Sequence, residues 1–416
     1  MTEIPTSESA PLSAQMPAVL RSRTASKETA PPDPEDSTES DSTLDLTPPT
    51  YQIDLSLPPS KRYVDVAKAF APHLQDVTGL FDLIVQSWGL PLSLVRFLCR
   101  IFLFRLHSTQ ETQELKGISK AINVDMFLLV AFNTFLDLFG GCTSGAARVS
   151  RGKNDGGRML HFRTLDWGMD PLRKLIVKYE YVQDGKVVGT SVGYVGFVGL
   201  LTAVRKGLSL SLNFRPNRNN TTFLGSLSYA THLLLVLLGF RRSIASNLRQ
   251  RFFNPESQSI SELAKSLSTV PSTAAYITLC DGDKTIIMEK DLHTASIRED
   301  VYFITVTNHD VSCESVAESE EDTIVQCGSG LNAALFGQIN DLIMDSMDRK
   351  KKMHKFWKDC SKKHGAKADM RVVRTVQNIA EWLENDPILN GETHFAVVMD
   401  PKAGKVVYLK RYLEPV

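Results

Sequence analysis

The sequence predicts an α+β protein, on three observations. Helical and strand patterns come in separate blocks, no βαβ unit recurs along the 416 residues, and no internal repeat is present. A 43% apolar content suits a packed core in one large domain or two ordinary ones.

The elements follow in chain order. Met1 to about Pro49 is rich in Ser, Thr, Pro and acidic residues. It has no continuous apolar run, so residues 1–48 read as a disordered tail and not as a secretory signal peptide. The compartment stays open between cytoplasmic and lysosome- or vacuole-like. Tyr51 to Tyr63 (YQIDLSLPPSKRY) alternates apolar and polar residues before Pro58 and Pro59, the pattern of a short strand ended by a turn. From Val64 to His107 apolar residues recur at helical spacing. Leu90 to Leu106 is strongly apolar but carries Arg96, Arg100 and Arg105, which disfavours a membrane span. It fits either a core helix with a solvated arginine stripe or a helix lying in a membrane interface. Leu233 to Phe240 (LLLVLLGF), followed by Arg241 and Arg242, is a second apolar segment and too short to span.

A helix pattern from Thr112 to Phe139 stops at Gly140 and Gly141, because glycine takes positive φ without a steric penalty. Short strand-like runs follow: Met159 to Leu165, Leu175 to Val182, Lys186 to Val195 and Leu208 to Leu212, separated by glycine and Asp-Gly turns. Helices over Ser259 to Leu267, Leu331 to Met347 and Val373 to Glu384 then mix with strands over Ala274 to Cys280, Thr285 to Glu289, Val301 to Thr307, Thr393 to Met399 and Val406 to Arg411. Acidic Cys313 to Asp322 and basic Arg349 to Lys367 read as an insertion of loop and solvated helix.

Lysine plus arginine equals aspartate plus glutamate at 47 each, so no global field favours nucleic acid and none is expected as a partner. The six cysteines form no CxxC pair and lack zinc-site histidine spacing, so neither metal nor cofactor is expected. Cys313 and Cys327 can pair in an oxidising compartment.

Cys142 directly follows the glycine stop. Taken alone, a cysteine opening a sheet is a small buried hydrophobe. Its context is GGCTSG (Gly140 to Gly145), an RGKNDGG turn, and HFRTLDWG (His161 to Gly168), which brings Arg163 and Asp166 back along a paired strand. A nearby arginine favours the thiolate.

The order CTS, R-x-x-D, VGYVGFVGLLTAVRKGLSLSLN (Val192 to Asn213), VTNHD (Val306 to Asp310) and DPILNGETHFAVVMDPKAGKVVYLKRYLEP (Asp386 to Pro415) resembles the acid ceramidases and N-acylethanolamine acid amidases. It is more distantly similar to cholylglycine hydrolases and penicillin V acylases. The resemblance covers nearly the whole chain after the tail. It implies a four-layer αββα N-terminal nucleophile hydrolase sandwich, with residues 49–141 as a helical α-subunit and 142–416 as the catalytic β-subunit, the two staying associated after cleavage before Cys142.

Carried over residue by residue, Cys142 matches the autoprocessed nucleophile, whose new α-amine serves as base, with an ordinary pKa of about 7.7–8.0. Arg163 matches the arginine beside it, Asp166 the acceptor of the new amine, Asn308 the oxyanion donor, and Arg349 a further active-site arginine. Each has a structural alternative: a cross-strand ion pair for Arg163 and Asp166, a turn for Asn308, a solvated basic run for Arg349. The implied activity is hydrolysis of an N-acyl lipid amide, ceramide above all, at a peripheral membrane surface. The alternatives are an N-acylethanolamine amidase or acyltransferase of the same fold, and a non-catalytic lipid-binding protein.

Overall fold

The computed structural model describes residues 46–87, 89–135, 140–150, 156–216, 219, 222–254, 258–317, 339–363, 373 and 375–416. The tail expected over residues 1–48 lies outside these apart from its last three positions. So do Cys327, hence any pairing with Cys313, and residues 331–338 of the helix expected from Leu331.

The expected opening strand is β1 (Thr50–Asp54), and Pro59 begins a short 3-10 turn, Pro59–Lys61. Proline suits that position because its fixed φ fits a first helical turn. The helical block is α1 (Val64–Ala69), α2 (Ala71–Ser87) and α3 (Leu92–Phe102). The single helix expected over Thr112 to Phe139 is instead two, α4 (Thr109–Ile122) and α5 (Met126–Phe135). Asn123 ends α4 in the left-handed region, at φ 54° and ψ 46°, a conformation asparagine tolerates.

Two sheets face each other. The larger runs in the order β1, β4 (Ile176–Gln183), β5 (Lys186–Tyr194), β6 (Thr202–Arg205), β7 (Leu208–Phe214), β8 (Ala275–Cys280), β9 (Thr285–Lys290) and β10 (Ala295–Asp300). In it β1 pairs parallel to β4, and the remaining pairs are antiparallel. The smaller, fully antiparallel sheet runs β11 (Phe303–Val306), β2 (Gly141–Val149), β3 (Arg158–Asp166), β12 (Thr393–Asp400) and β13 (Lys405–Arg411). Two strands go beyond the expected set: β6 is too short, and β10, ASIRED, too charged to stand out by periodicity.

Alternation sorts the side chains between layers. From β7, Leu208, Leu210 and Leu212 join a core with Leu263 and Leu267 of α8 (Ile260–Thr269) and Leu248 of α7 (Ile244–Phe252). Ser209, Ser211 and Asn213 meet the smaller sheet: both ring nitrogens of His161 lie 2.9 Å from the Ser209 and Ser211 hydroxyls, and Ser144 Oγ donates to Asn213 Oδ1 at 2.6 Å. From β3 and β12, Leu160, Phe162, Ala396 and Val398 pack against α10 (Ile339–Lys363) and α11 (Val376–Leu383) through Met353, Ile379, Trp382 and Leu383. The architecture is therefore helices, sheet, sheet, helices, the four-layer sandwich expected. Strands buried on both faces carry few exposed positions, as β3 and β12 illustrate.

The apolar segments take an unexpected place. No residue of α3 is buried, and Leu94, Phe97, Leu98 and Ile101 face outward. Arg96 pairs with Asp82 and Arg100 with Asp125. Within the segment α3 itself lies outside the core, while Leu103 and Leu106 just beyond it are buried in it. Leu233 to Phe240 belongs to the end of α6 (Phe223–Leu237), where Phe223 and Leu224 are exposed. No described helix is long and apolar enough to cross a membrane.

Candidate active site

The site forms where β2 starts. Gly140 adopts φ +123°, and a Cβ there would meet the Asp166 carbonyl oxygen at 3.0 Å; a Cβ on Gly141 would lie 3.3 Å from Asp166 Cβ. These two glycines let the backbone pass close to β3 and deliver Cys142 into the space between the sheets. In the β2–β3 ladder Gly141 pairs with Asp166 and Ser144 with Arg163, which is the returning strand the sequence suggested.

All five residues singled out in the sequence come together, each at most 3% exposed. Arg163 Nη2 donates to Cys142 Sγ at 3.4 Å and to the Leu212 carbonyl at 2.6 Å, while Nη1 serves the Leu201 carbonyl and the Thr202 hydroxyl. A buried guanidinium stays charged, so carbonyl dipoles hold a fixed cation against the sulfur.

Asn308 follows β11. Its Oδ1 accepts from the Cys142 backbone N–H at 2.8 Å and from Arg349 Nη2 at 3.0 Å. Its Nδ2 donates to the carbonyls of Phe214 at 2.8 Å and Gly140 at 3.3 Å. Two donors on one side and two acceptors on the other fix which way the amide points.

Arg349 departs from its reading as a member of a solvated run. It is 3% exposed, and its Nη1 also reaches Thr143 Oγ1 at 3.2 Å and Asp166 Oδ2 at 3.3 Å. The face of α10 bearing Ile343, Ser346, Met347, Arg349, Lys350 and Met353 is buried, so only the opposite face is solvated.

Asp166 pairs with Arg349 and accepts from Thr393 Oγ1 at 2.8 Å. Burial pushes its carboxyl up to about 6, against the opposing pull of Arg349 and the Thr393 hydroxyl. The Cys142 nitrogen bonds to Asn308 rather than to Asp166, the acceptor the resemblance implied. Across an intact Gly141–Cys142 peptide bond that nitrogen carries a single hydrogen, and here it is directed to Asn308.

Thr143, Asn213, Ser346 and Thr393 complete the surroundings and were not anticipated. A polar residue at an inward strand position in an apolar run, such as Asn213 in LSLSLNF, is the sequence signal for one of them.

Residues 47–106 match the family model described as the beta subunit of N-acylethanolamine-hydrolyzing acid amidase, a stretch that begins two residues before the segment expected as the α-subunit and lies wholly N-terminal to Cys142. The chain is 28% identical to acid ceramidase of Mus musculus over 198 residues, covering 44% of this chain and 49% of the relative. Identity to the N-acylethanolamine-hydrolyzing acid amidase of Caenorhabditis elegans is 30% over 182 residues, 41% of this chain and 49% of the relative. The chain thus spans about half the length of these curated relatives. A solved structure of a C. elegans N-acylethanolamine-hydrolyzing acid amidase ortholog aligns with a TM-score of 0.42 at 17% identity, over 63% of this chain and 93% of that one.

Proposed function

We propose, from the similarity to acid ceramidases and N-acylethanolamine-hydrolyzing acid amidases and from the geometry around Cys142, that this chain is an autoprocessed cysteine amidase of N-acyl lipids. The observation that carries the reading is the gathering of Arg163 and Asn308 on Cys142, with Arg349 on Asn308, in a buried site where no histidine among the described residues hydrogen-bonds the sulfur. A cysteine without a histidine base needs another proton acceptor, and an α-amine created by cleavage is one.

In processing, Cys142 Sγ attacks the Gly141 carbonyl carbon, the C–N bond breaks, and the acyl group moves to sulfur. The thiol proton passes to the Cys142 nitrogen as that bond breaks, freeing the α-amine, and water then hydrolyses the thioester to a Gly141 carboxylate and the Cys142 thiol. Departure of Gly140 frees one Asn308 Nδ2 hydrogen, now held on the Gly140 carbonyl, for a substrate oxyanion. In turnover the amine takes the thiol proton, the thiolate attacks the amide carbonyl, and the proton passes to the leaving amine. Water releases the fatty acid from the acyl-thioester. Asp166 and Arg349 hold the amine and Asn308 in place.

Ceramide is the favoured substrate, with N-acylethanolamines as the alternative. Both α3 and α6 contact α5 while keeping apolar side chains exposed, and Arg105 lies over the Phe240 ring at 4.9 Å, so the two segments meet. A surface of this kind, with cations at its edge, suits peripheral attachment to a bilayer that holds the substrate.

The test is the intact mass and N-terminal sequence of purified protein. Active enzyme is expected to contain a fragment starting at Cys142, and Cys142→Ala to remain one chain. Active wild type with no such fragment would sink the reading.

A further inference from the structure

His309, Ser346 and Lys350, all buried, and the partly exposed Glu314 form a polar cluster beside the site that the mechanism above leaves unused. Asn308 N–H donates to Ser346 Oγ at 2.6 Å, Ser346 Oγ lies 2.7 Å from His309 Nδ1, and His309 Nε2 lies 3.4 Å from Glu314 Oε1. Lys350 closes the cluster on Glu314. His309 and Ser346 are at most 1% exposed. Burial raises the Glu314 carboxyl, but His309 and Lys350 outweigh it and hold the group down to about 2, so it is a carboxylate acceptor.

His309 Nε2 comes to ion-pair distance of Glu314 without a hydrogen bond, while Nδ1 sits within reach of the Ser346 and Thr307 hydroxyls at 2.7 and 3.2 Å. Ser346 Oγ accepts from Asn308 N–H and lies against both His309 Nδ1 and Thr307 Oγ1. Thr307, whose Oγ1 lies 2.8 Å from Ser346 Oγ, spends its own proton on the Ser346 carbonyl at 2.9 Å. The Asn308 backbone is thus tied to Ser346, and Ser346 to His309 Nδ1, with the Thr307 hydroxyl bridging the same two side chains. Ser346 and Arg349 stand one turn apart on α10, so one helix face holds Asn308 twice: by its backbone through Ser346 and by its amide oxygen through Arg349.

We propose that His309 and Ser346 are positioning residues, a clamp that fixes the Asn308 amide against Cys142. The inference rests on the reading of Cys142 as nucleophile. It gives the histidine of VTNHD a part that touches neither substrate nor sulfur. It also explains why α10, joined to Asn308 only through a long stretch of chain, returns to the site in a set register.

The test compares Ser346→Ala, His309→Leu and His309→Asn in the full chain by three readouts: hydrogen exchange at the Asn308 backbone amide, kcat and KM on an N-acyl amide, and thermal midpoint. Ser346→Ala and His309→Leu are expected to speed Asn308 exchange about tenfold or more and to lower kcat roughly 10–100-fold, the range for groups that orient site residues, with KM changed less than about twofold. His309→Asn places an acceptor near the position of Nδ1 and is expected to restore most of both. A merely structural histidine would move the thermal midpoint without this rescue. Unchanged Asn308 exchange in the two disruptive variants, or His309→Asn behaving as His309→Leu does, would overturn the clamp. If wild type neither cleaves nor hydrolyses while exchange responds as described, the Cys142 reading fails and the clamp stands.

Discussion

At Asp166, burial and charge pull in opposite directions. Its carboxyl is raised from 3.8 to about 6, so the folded chain keeps the proton at pH values where the unfolded chain has released it. Folding takes up a proton across that window. This group's contribution to stability is therefore fully present below about pH 4, declines as pH rises towards about 6, and is constant above. Asp166→Asn should remove that slope, so the difference in thermal midpoint between wild type and variant is expected to change from pH 4 to 6 and to be flat from 7 upward. A constant difference over the whole range would contradict the shifted carboxyl. For Asn308, whose Nδ2 is aimed at the carbonyl of a residue that leaves on cleavage, Asn308→Ala is expected to lower kcat roughly 10²–10³-fold with the fold intact; wild-type turnover would rule out the oxyanion role. Cys142, Arg163 and Asp166 were legible in the sequence because one short turn returns β3 beside β2, and a strand pair fixes which residues are neighbours. The burial of Arg349 was not, since a run such as MDRKKKM looks solvated until the helix face it lies on is known.

Among the elements, helical and strand blocks could be read from periodicity, but what covers a helix could not. The Leu90 to Leu106 pattern is the same whether its apolar face meets a core or faces outward, and only the fold shows Phe97 at 60% and, on α6, Phe223 at 81% exposed. The break at Asn123 was hidden for a related reason: asparagine is ordinary in a helix, and its left-handed cap is decided by the packing on either side. If α3 and α6 rest on a bilayer, each aromatic side chain that enters it contributes about 1.5–3 kcal/mol. Phe97→Ser combined with Phe223→Ser is then expected to lower partition onto anionic vesicles at least about a hundredfold, since each tenfold costs about 1.4 kcal/mol. Turnover of a soluble short-chain amide should stay near wild type, because both side chains face outward whereas Cys142 is buried. Vesicle co-sedimentation with a parallel soluble assay reads both, and unchanged partition would remove the helices from the interface.

For the molecule as a whole, the proposed cut before Cys142 raises the question of what keeps the two parts together. The N-terminal part supplies β1, which pairs along its full length with β4 of the larger sheet, and Leu55 N–H extends the ladder to the Val182 carbonyl at 2.7 Å. Its Ile53, Leu115, Ile118, Phe127 and Val130 belong to the same core as Tyr179, Val195 and Leu200. Asn133 accepts from Val198 N–H and donates to the Gly196 carbonyl, both at 2.8 Å. At the centre lies Glu114, fully buried, taking Arg62 from its own part and both terminal nitrogens of Arg249 from the other. A buried pair of this kind adds little over an apolar substitute, yet losing one partner strands the other charge, at a cost of about 3–5 kcal/mol. Cleaved protein is accordingly expected to run as one species holding both fragments on native size exclusion and to separate only in denaturant. Glu114→Ala, which leaves Arg249 buried without its carboxylate, should lower the unfolding free energy by about 3–5 kcal/mol and bring fragment separation to a lower denaturant concentration. Glu114→Gln keeps an acceptor for Arg249 and should fall between the two. If wild-type fragments part in native buffer, or Glu114→Ala separates at the wild-type midpoint, the shared sheet and the Glu114 cluster are not what joins them.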